Sequence, residues 1–364
     1  MHSPPRAELS IEWWTVTDPS SVDGSLRLPA GFELIAQDPR LGPLMLRSLE
    51  RVEQRLDEAV QATDRLADVT ARHLLAAGGK RVRPLLTLLA AEVAGEITDE
   101  VIEAAVVVEL THLASLYHDD VMDSAPLRRG VETAHTVWGN TVAILTGDMI
   151  FARASAMVSA LGQEPLMIQA TTFERLVIGQ LQETTGPAED EDPVAHYLQV
   201  LSGKTGSLIA ASGQYGALLG GASRDVVDLM VVYGEKVGLA FQLADDIIDL
   251  TGPPDVSGKT LGTDLREGVD TLPVLLLRRH AAGADPEAAA SAQEVLRLID
   301  GDLTDDDALA TAVAAVSSHP AAAEAWQIAN RWADEAIAAL EPLQDSVAKA
   351  ALTEFAHAVV HRRG

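Results

Sequence analysis

Apolar positions recur at helical spacing along most of the chain and nowhere alternate with period two. The pattern predicts an all-α protein without strands. Leu46, Leu49, Val52 and Leu56 belong to a predicted helix over 41–77. Gly78-Gly79 stops it, because glycine takes the turn past a helix end without a Cβ penalty. Pro84 falls in the first turn of the next helix, where its missing N–H costs nothing. The run Ala104–Leu113 is apolar nearly all round, so the helix over 99–123 is predicted to be buried. Further helices are predicted over 137–161, 165–184, 194–220 and 224–250. The third of these is expected to break near Gly203-Lys204-Thr205-Gly206. Residues 271–361 read as Ala-rich helices interrupted at Gly283, Gly301 and Pro320. Residues 1–37 carry scattered Pro, Gly and Ser and read as an N-terminal arm or tail before a single helical domain, 38–364. Trp13 and Trp14 suit that arm to an apolar surface, its own domain's or a partner's.

Composition narrows the classes. The 364 residues are 47% apolar, enough for a large core, and none is cysteine, which excludes disulfides and thiolate metal sites. A formal charge of −27 argues against nucleic acid and against electrostatic docking to anionic lipid. Pro4, Pro5 and Glu8 stand where a secretory leader would be apolar, and no uninterrupted apolar run looks long enough to span a bilayer. A soluble, cytoplasmic protein is the expectation. In so acidic a chain, clustered basic residues carry information.

The candidate chemistry is acidic. His112-Leu-Ala-Ser-Leu-Tyr-His118-Asp119-Asp120-Val-Met-Asp123 ends the buried helix. Asp119 and Asp123 lie one turn apart on one face, with Asp120 at its edge. Three carboxylates at the negative end of a helix dipole need a cation, and hard oxygen ligands point to Mg²⁺. The same word returns as Asp245-Asp246-Ile-Ile-Asp249 at the end of a second apolar helix. Two such clusters describe facing metal-binding walls that hold diphosphate oxygens. Basic residues fall into two sets. Arg128, Lys204 and Lys259 suit a grip on that diphosphate from the far side, whereas Lys80, Arg83 and Arg129 with His112 suit a second anion beside it. Taken alone, Lys80–Arg83 also reads as a solvated basic turn and His112 as a core histidine. Lys204 reads equally as a snorkelling side chain at a kink.

These words, in this order, closely resemble the trans-isoprenyl diphosphate synthase family. The matching stretches are Gly78-Gly79-Lys80-Arg81-Val82-Arg83-Pro84, then His112 with Asp119-Asp120-x-x-Asp123, then Arg128-Arg129-Gly130 and Gly147-Asp148. Gly179-Gln180, Lys204-Thr205, Phe241-Gln242-x-x-Asp245-Asp246-x-x-Asp249, Gly258-Lys259 and Gly262-x-Asp264-Leu265 complete the set, spread over roughly 45–275. The resemblance implies an antiparallel helix bundle around a deep cavity, three Mg²⁺ ions and a homodimer. It assigns Asp119, Asp120, Asp123, Asp245, Asp246 and Asp249 to the metals. Lys80, Arg83, His112 and Arg129 would bind isopentenyl diphosphate. Arg128, Lys204 and Lys259 would bind the allylic diphosphate, with Thr205 and Gln242 beside them. Thr260 departs from the proline that many relatives carry after the lysine.

The growing chain should run down the 99–123 helix, past Ala114 and Ser115, one turn below Asp119. Both are small, whereas short-chain members carry a bulky aromatic there. From Asp119 back to Val101 the helix offers roughly 27 Å. A long-chain all-trans polyprenyl diphosphate of the quinone side-chain type is therefore expected, a product that associates with membrane. Tyr117, if turned inward, leaves a geranylgeranyl product open. The competing readings are a terpene cyclase, a catalytically silent partner subunit and a carboxylate-bridged di-iron bundle. The second Asp cluster and the Lys80/Arg83 set argue against a cyclase, the intact aspartates against a silent subunit, and the missing Glu-x-x-His pairs against di-iron.

Overall fold

The computed structural model describes residues 31–251 and 261–361. In chain order the helices are α1 (Glu33–Gln37), α2 (Leu41–Ala59), α3 (Arg65–Ala76), α4 (Val82–Ala94), α5 (Asp99–Met122), α6 (Ala134–Trp138), α7 (Asn140–Ala160) and α8 (Gln163–Thr185). They continue with α9 (Pro193–Leu201), α10 (Ser207–Leu219), α11 (Arg224–Thr251), α12 (Thr263–Arg266), α13 (Leu272–Ala281), α14 (Pro286–Ile299), α15 (Asp306–Ser318), α16 (Pro320–Ala339) and α17 (Val347–His361). The protein is all-α, as its periodicity predicts.

α5 is the central helix. Thr98 caps it through a bond from Val101 N at 3.2 Å, and α2, α4, α7 and α10 pack around it. α10 lies against both α5 and α11, so it ties together the two helices that end in aspartates. Its close approach depends on glycine. A Cβ on Gly216 would stand 2.0 Å from the Thr87 carbonyl of α4, and one on Gly234 of α11 would stand 2.5 Å from the Ala210 Cα.

Four features depart from the sequence-based picture. The predicted helix over 41–77 is two helices, because Asp64 caps α3 by accepting from Leu66 N and Ala67 N at 3.0 Å each. A short hairpin pairs β1 (Leu127–Arg128) with β2 (Val131–Glu132). Arg129 (φ +54°) and Gly130 (φ +78°) are its left-handed turn, and two-residue strands are too short to show alternation. The break expected near Lys204 is a π turn over Ser202–Gly206 that carries the helical path through from α9 to α10. At the N-terminus, Phe32 and Ile35 are fully buried and Phe32 stacks on Phe355 at 4.5 Å, so the last residues of the predicted arm belong to the core. Trp13 and Trp14 lie outside the described residues.

Among the described residues, two helices, α5 and α7, are long and apolar enough to cross a membrane by length and composition, although charged residues interrupt both. In α5 78% of the apolar window is buried, as its central place requires. In α7 only 33% is, which leaves an apolar face uncovered.

Candidate active site

The first Asp cluster sits at the C-terminal end of α5. Burial pushes the Asp119 carboxyl up to about 6, with the Lys204 ammonium opposing and Asp123 adding to the rise. Asp120 is 1% exposed. Its Oδ1 accepts from Arg128 Nε at 2.7 Å, while its Oδ2 is buried with no partner. Asp123 caps the helix and is exposed. The β1–β2 hairpin directly after the cluster is what delivers Arg128 to Asp120.

The second cluster ends α11. Asp246 is 9% exposed, and burial raises its carboxyl to about 7, against the pull of hydrogen bonds from Tyr197 and Gln242. The Tyr197 hydroxyl donates to Oδ2 and Gln242 Nε2 donates to Oδ1 at 2.9 Å. Asp249 Oδ2 accepts from Asp264 N at 3.3 Å, and the Asp249 carbonyl accepts from Gly262 N at 2.8 Å. These bonds fold the Gly262-x-Asp264 stretch back against the cluster.

The π turn joins the two walls. Lys204 Nζ donates to Glu183 Oε2 at 2.6 Å and acts on Asp119. The neighbouring Thr205 Oγ1 donates to Gln242 Oε1 at 3.3 Å, beside Asp246. One residue therefore faces the first cluster and the next faces the second. Glycines make this possible. A Cβ on Gly179 would stand 2.8 Å from Lys204 N, and one on Gly203 would stand 2.9 Å from the Arg175 carbonyl. Lys80 Nζ lies 5.9 Å from the centroid of Phe241, which precedes Gln242, so the first basic loop also meets α11.

The second basic set gathers below the hairpin. Arg81, at φ +48°, pairs with Glu53 at 2.5 Å and with buried Glu109 at 2.9 Å. That left-handed residue redirects the chain from Lys80 into α4. Arg83 Nε is buried with no partner. Burial lowers its guanidinium to about 10, with Glu109 opposing and Arg129 adding to the fall. Arg129 Nη1 donates to Leu74 O at 3.0 Å and to the Gly78 carbonyl, and burial lowers its guanidinium too. Burial, then Arg83 and Arg129, hold His112 well below the usual histidine range, so it stays neutral. A buried, unpartnered guanidinium nitrogen amid other cations is a cradle for an anion.

Asp245 and Asp249 are half-buried on α11, on either side of Asp246. Asp119, Lys204, Thr205, Gln242 and Asp246 converge, as do Arg83, His112 and Arg129, while Lys80 reaches towards α11. Arg128 is engaged by Asp120. Lys259 lies outside the described residues. Among the described residues, no three carboxylate or imidazole groups already stand as a ready-made metal cage. Asp120 and Asp246 are turned onto Arg128, Tyr197 and Gln242. The donors still fit a divalent cation: they are hard oxygens, one is buried without a partner, and two carboxyls are driven up by burial that a nearby cation would offset.

Sequence reading missed Glu53, Glu109, Glu183 and Tyr197. Glu109 did carry a signal, as a lone carboxylate inside an apolar run, which must find a buried partner. Glu183 carried a weaker one, as a polar residue on an otherwise apolar stretch, whereas Glu53 and Tyr197 act across elements and had none. Below the site, Ala114 is fully buried and Ser115 is 9% exposed. Ser115 Oγ donates to His112 O at 2.9 Å. Tyr117 turns towards α3, donating to the Thr70 carbonyl and accepting from Leu74 N at 3.3 Å. It is committed elsewhere and does not turn inward to narrow a path for product.

The polyprenyl synthetase family pattern matches residues 64–316, a span that takes in both Asp clusters and both basic sets. This chain belongs to the polyprenyl synthetase family. Its members are prenyltransferases. It is 41% identical over 315 residues to a nonaprenyl diphosphate synthase of Mycobacterium tuberculosis, covering 86% of this chain and 92% of that one. It is 36% identical over 309 residues to component 2 of a heptaprenyl diphosphate synthase of Geobacillus stearothermophilus, covering 85% and 93%. Among solved structures, a geranylgeranyl pyrophosphate synthase of Corynebacterium glutamicum, complexed with calcium and isoprenyl diphosphate, superposes with a TM-score of 0.79 at 41% identity. That match covers 90% of this chain and 98% of the other. Membership in this prenyltransferase family supersedes the cyclase and di-iron alternatives.

Proposed function

We propose that the protein condenses isopentenyl diphosphate with an allylic diphosphate to build a long-chain all-trans polyprenyl diphosphate of the quinone side-chain type. The observation that carries this reading is the π turn, where Lys204 meets the first aspartate cluster and Thr205 the second, with a separate basic cradle around Arg83. Such an arrangement holds two diphosphates at once, which a hydrolase or a cyclase does not need. Divalent cations, Mg²⁺ and three in number, bound by Asp119, Asp123, Asp245 and Asp249 with Asp120 and Asp246 behind them, would supply Lewis-acid stabilisation of the departing diphosphate. Arg128, Lys204 and Lys259 orient that allylic diphosphate. Lys80, Arg83, His112 and Arg129 fix isopentenyl diphosphate beside it. The allylic C–O bond breaks and its electron pair leaves with diphosphate. The isopentenyl double bond then attacks the allylic cation, and the loss of one proton restores a double bond. The apolar surroundings exclude the water that would otherwise capture the cation.

Length follows from the small residues at 114 and 115 and from the nonaprenyl relative. Ser115→Phe is expected to shorten the main product while the first condensation continues, read by chromatography of the dephosphorylated products. An unchanged product length would remove the path from this face of α5.

The exposed apolar residues Ile144 and Leu145 on α7 and Val177, Ile178 and Leu181 on α8 suit a second copy of the chain. A heteromeric partner is the second reading, because one relative is a synthase component. Sedimentation of the purified chain is expected to give a dimer that Leu145→Glu weakens by at least tenfold. A monomer that is inactive alone would favour the heteromer. The reading also holds that synthesis takes place in the cytoplasm and that the product passes to the membrane.

A further inference from the structure

We infer that Arg175 is a positioning residue for the allylic side of the site. It bridges the first residue of the π turn to α11 and so keeps Lys204 and Thr205 aimed at the two aspartate clusters. Arg175 lies on α8. Its Nη2 donates to Ser202 Oγ at 3.3 Å, and its Nη1 donates to Glu235 Oε1 of α11 at 2.6 Å. The inference rests on the proposed function and deepens it.

The turn needs such a hold. Ser207 N donates to the Ser202 carbonyl, five residues back, so the turn is one residue wider than an α turn. Relaxation to an α turn would rotate one side of it by about 100° relative to the other, one residue's share of a helical turn. Lys204 and Thr205 could then no longer face Asp119 and Gln242 together. Arg175 grips the residue that accepts the five-residue bond. Its partner Glu235 stands at the far end of the turn, where a Cβ on Gly206 would lie 3.5 Å from the Glu235 carbonyl. The bridge therefore spans the turn from Ser202 to Gly206.

The same face of α8 continues the hold. Arg175, Gly179 and Glu183 are spaced four residues apart, one above another. They meet Ser202, the Lys204 backbone and the Lys204 ammonium in turn. Arg175 is about 12 Å from Glu183 along the helix, so it acts on the diphosphate only through the turn. The isopentenyl cradle hangs instead from α4, α5 and the β1–β2 turn. Both side chains of the Arg175–Glu235 pair are 37% exposed, so the pair adds little to folding stability. Its loss should show in kinetics more than in melting.

The test measures kcat and the KM values for farnesyl diphosphate and isopentenyl diphosphate, with Mg²⁺. It compares the full-length chain with Arg175→Ala, with Ser202→Ala and with the exchanged pair Arg175→Glu plus Glu235→Arg. Arg175→Ala is expected to raise KM for farnesyl diphosphate and lower kcat, together by about tenfold or more, within the roughly hundredfold that a 1 Å misplacement costs. KM for isopentenyl diphosphate should hardly move. Ser202→Ala should act in the same direction by less, and it carries the test if Arg175→Ala fails to melt cooperatively. The exchanged pair rebuilds the bridge with reversed charge, and the Ser202 hydroxyl can donate to the carboxylate placed at 175, so most of the loss should be recovered. Wild-type kinetics in cooperatively folding Arg175→Ala and Ser202→Ala, or equal rises in the two KM values, would overturn the positioning role and leave the proposed function standing. No incorporation of isopentenyl units by the wild-type chain would overturn the proposed function, and the positioning role with it.

Discussion

Replacing Asp119 or Asp245 by alanine is expected to cut turnover by about a thousandfold, with little loss of folding stability. The scale is that of removing one preorganised stabiliser of developing negative charge, about 10²–10³, deepened because each carboxylate also helps to hold a cation. Stability should survive because ionised Asp119 is already held at a disadvantage: burial pushes it up to about 6, so the fold gives up little by losing it. Its folded value lies above its unfolded one, so its ionisation weakens the metal-free fold as pH rises through about 6. Alanine removes that penalty. Steady-state incorporation of labelled isopentenyl units together with thermal melting checks both halves. Near-wild-type turnover in either variant would remove that residue from the site.

Glu109→Gln is expected to act in the opposite sense, on folding first and on chemistry through it. The Arg81–Glu109 pair is buried on both sides, with each side chain 4% exposed. Breaking a fully buried pair costs roughly 3–5 kcal/mol, and the cost here falls at the low end of that range because Glu53 still holds Arg81. Arg83 and Arg129 also lose the buried anion that offsets their mutual repulsion. The left-handed Arg81 loses one of the two carboxylates that fix the Lys80–Arg83 turn. Melting should fall by roughly 5 °C or more. KM for isopentenyl diphosphate should rise much more than kcat falls, and KM for the allylic partner should hardly move. Glu109→Asp should recover part of both losses. Equal changes in the two KM values would show that Glu109 serves the whole fold and does not position the basic turn in particular.

How much of this was legible beforehand depends on range. The long helices announce themselves through local period, and the Asp clusters through spacing within a single turn. Lys80, Arg83 and Arg129 stood out because cations are scarce in a chain of charge −27. The split at Asp64 was missed because a short cap interrupts the apolar period too briefly to register. The β1–β2 hairpin was missed because two residues cannot alternate, although Arg129-Gly130 is a turn pair. The π turn was read as a break, since extra residues in a helical stretch look alike in sequence whether the helix stops or widens. Partnerships between distant elements, such as Tyr197 with Asp246 and Lys204 with Glu183, leave no local trace.

The proposed chemistry requires that the ends of α5 and α11 act together on a single diphosphate. Crystals of the protein grown with Mn²⁺ and a non-ionisable allylic diphosphate analogue test it directly through the anomalous signal. The claim predicts ions bridging the analogue to carboxylates of both clusters, including Asp119 and Asp245, with Lys204 on the diphosphate. Ions confined to one cluster, or an analogue bound away from the π turn, would contradict it.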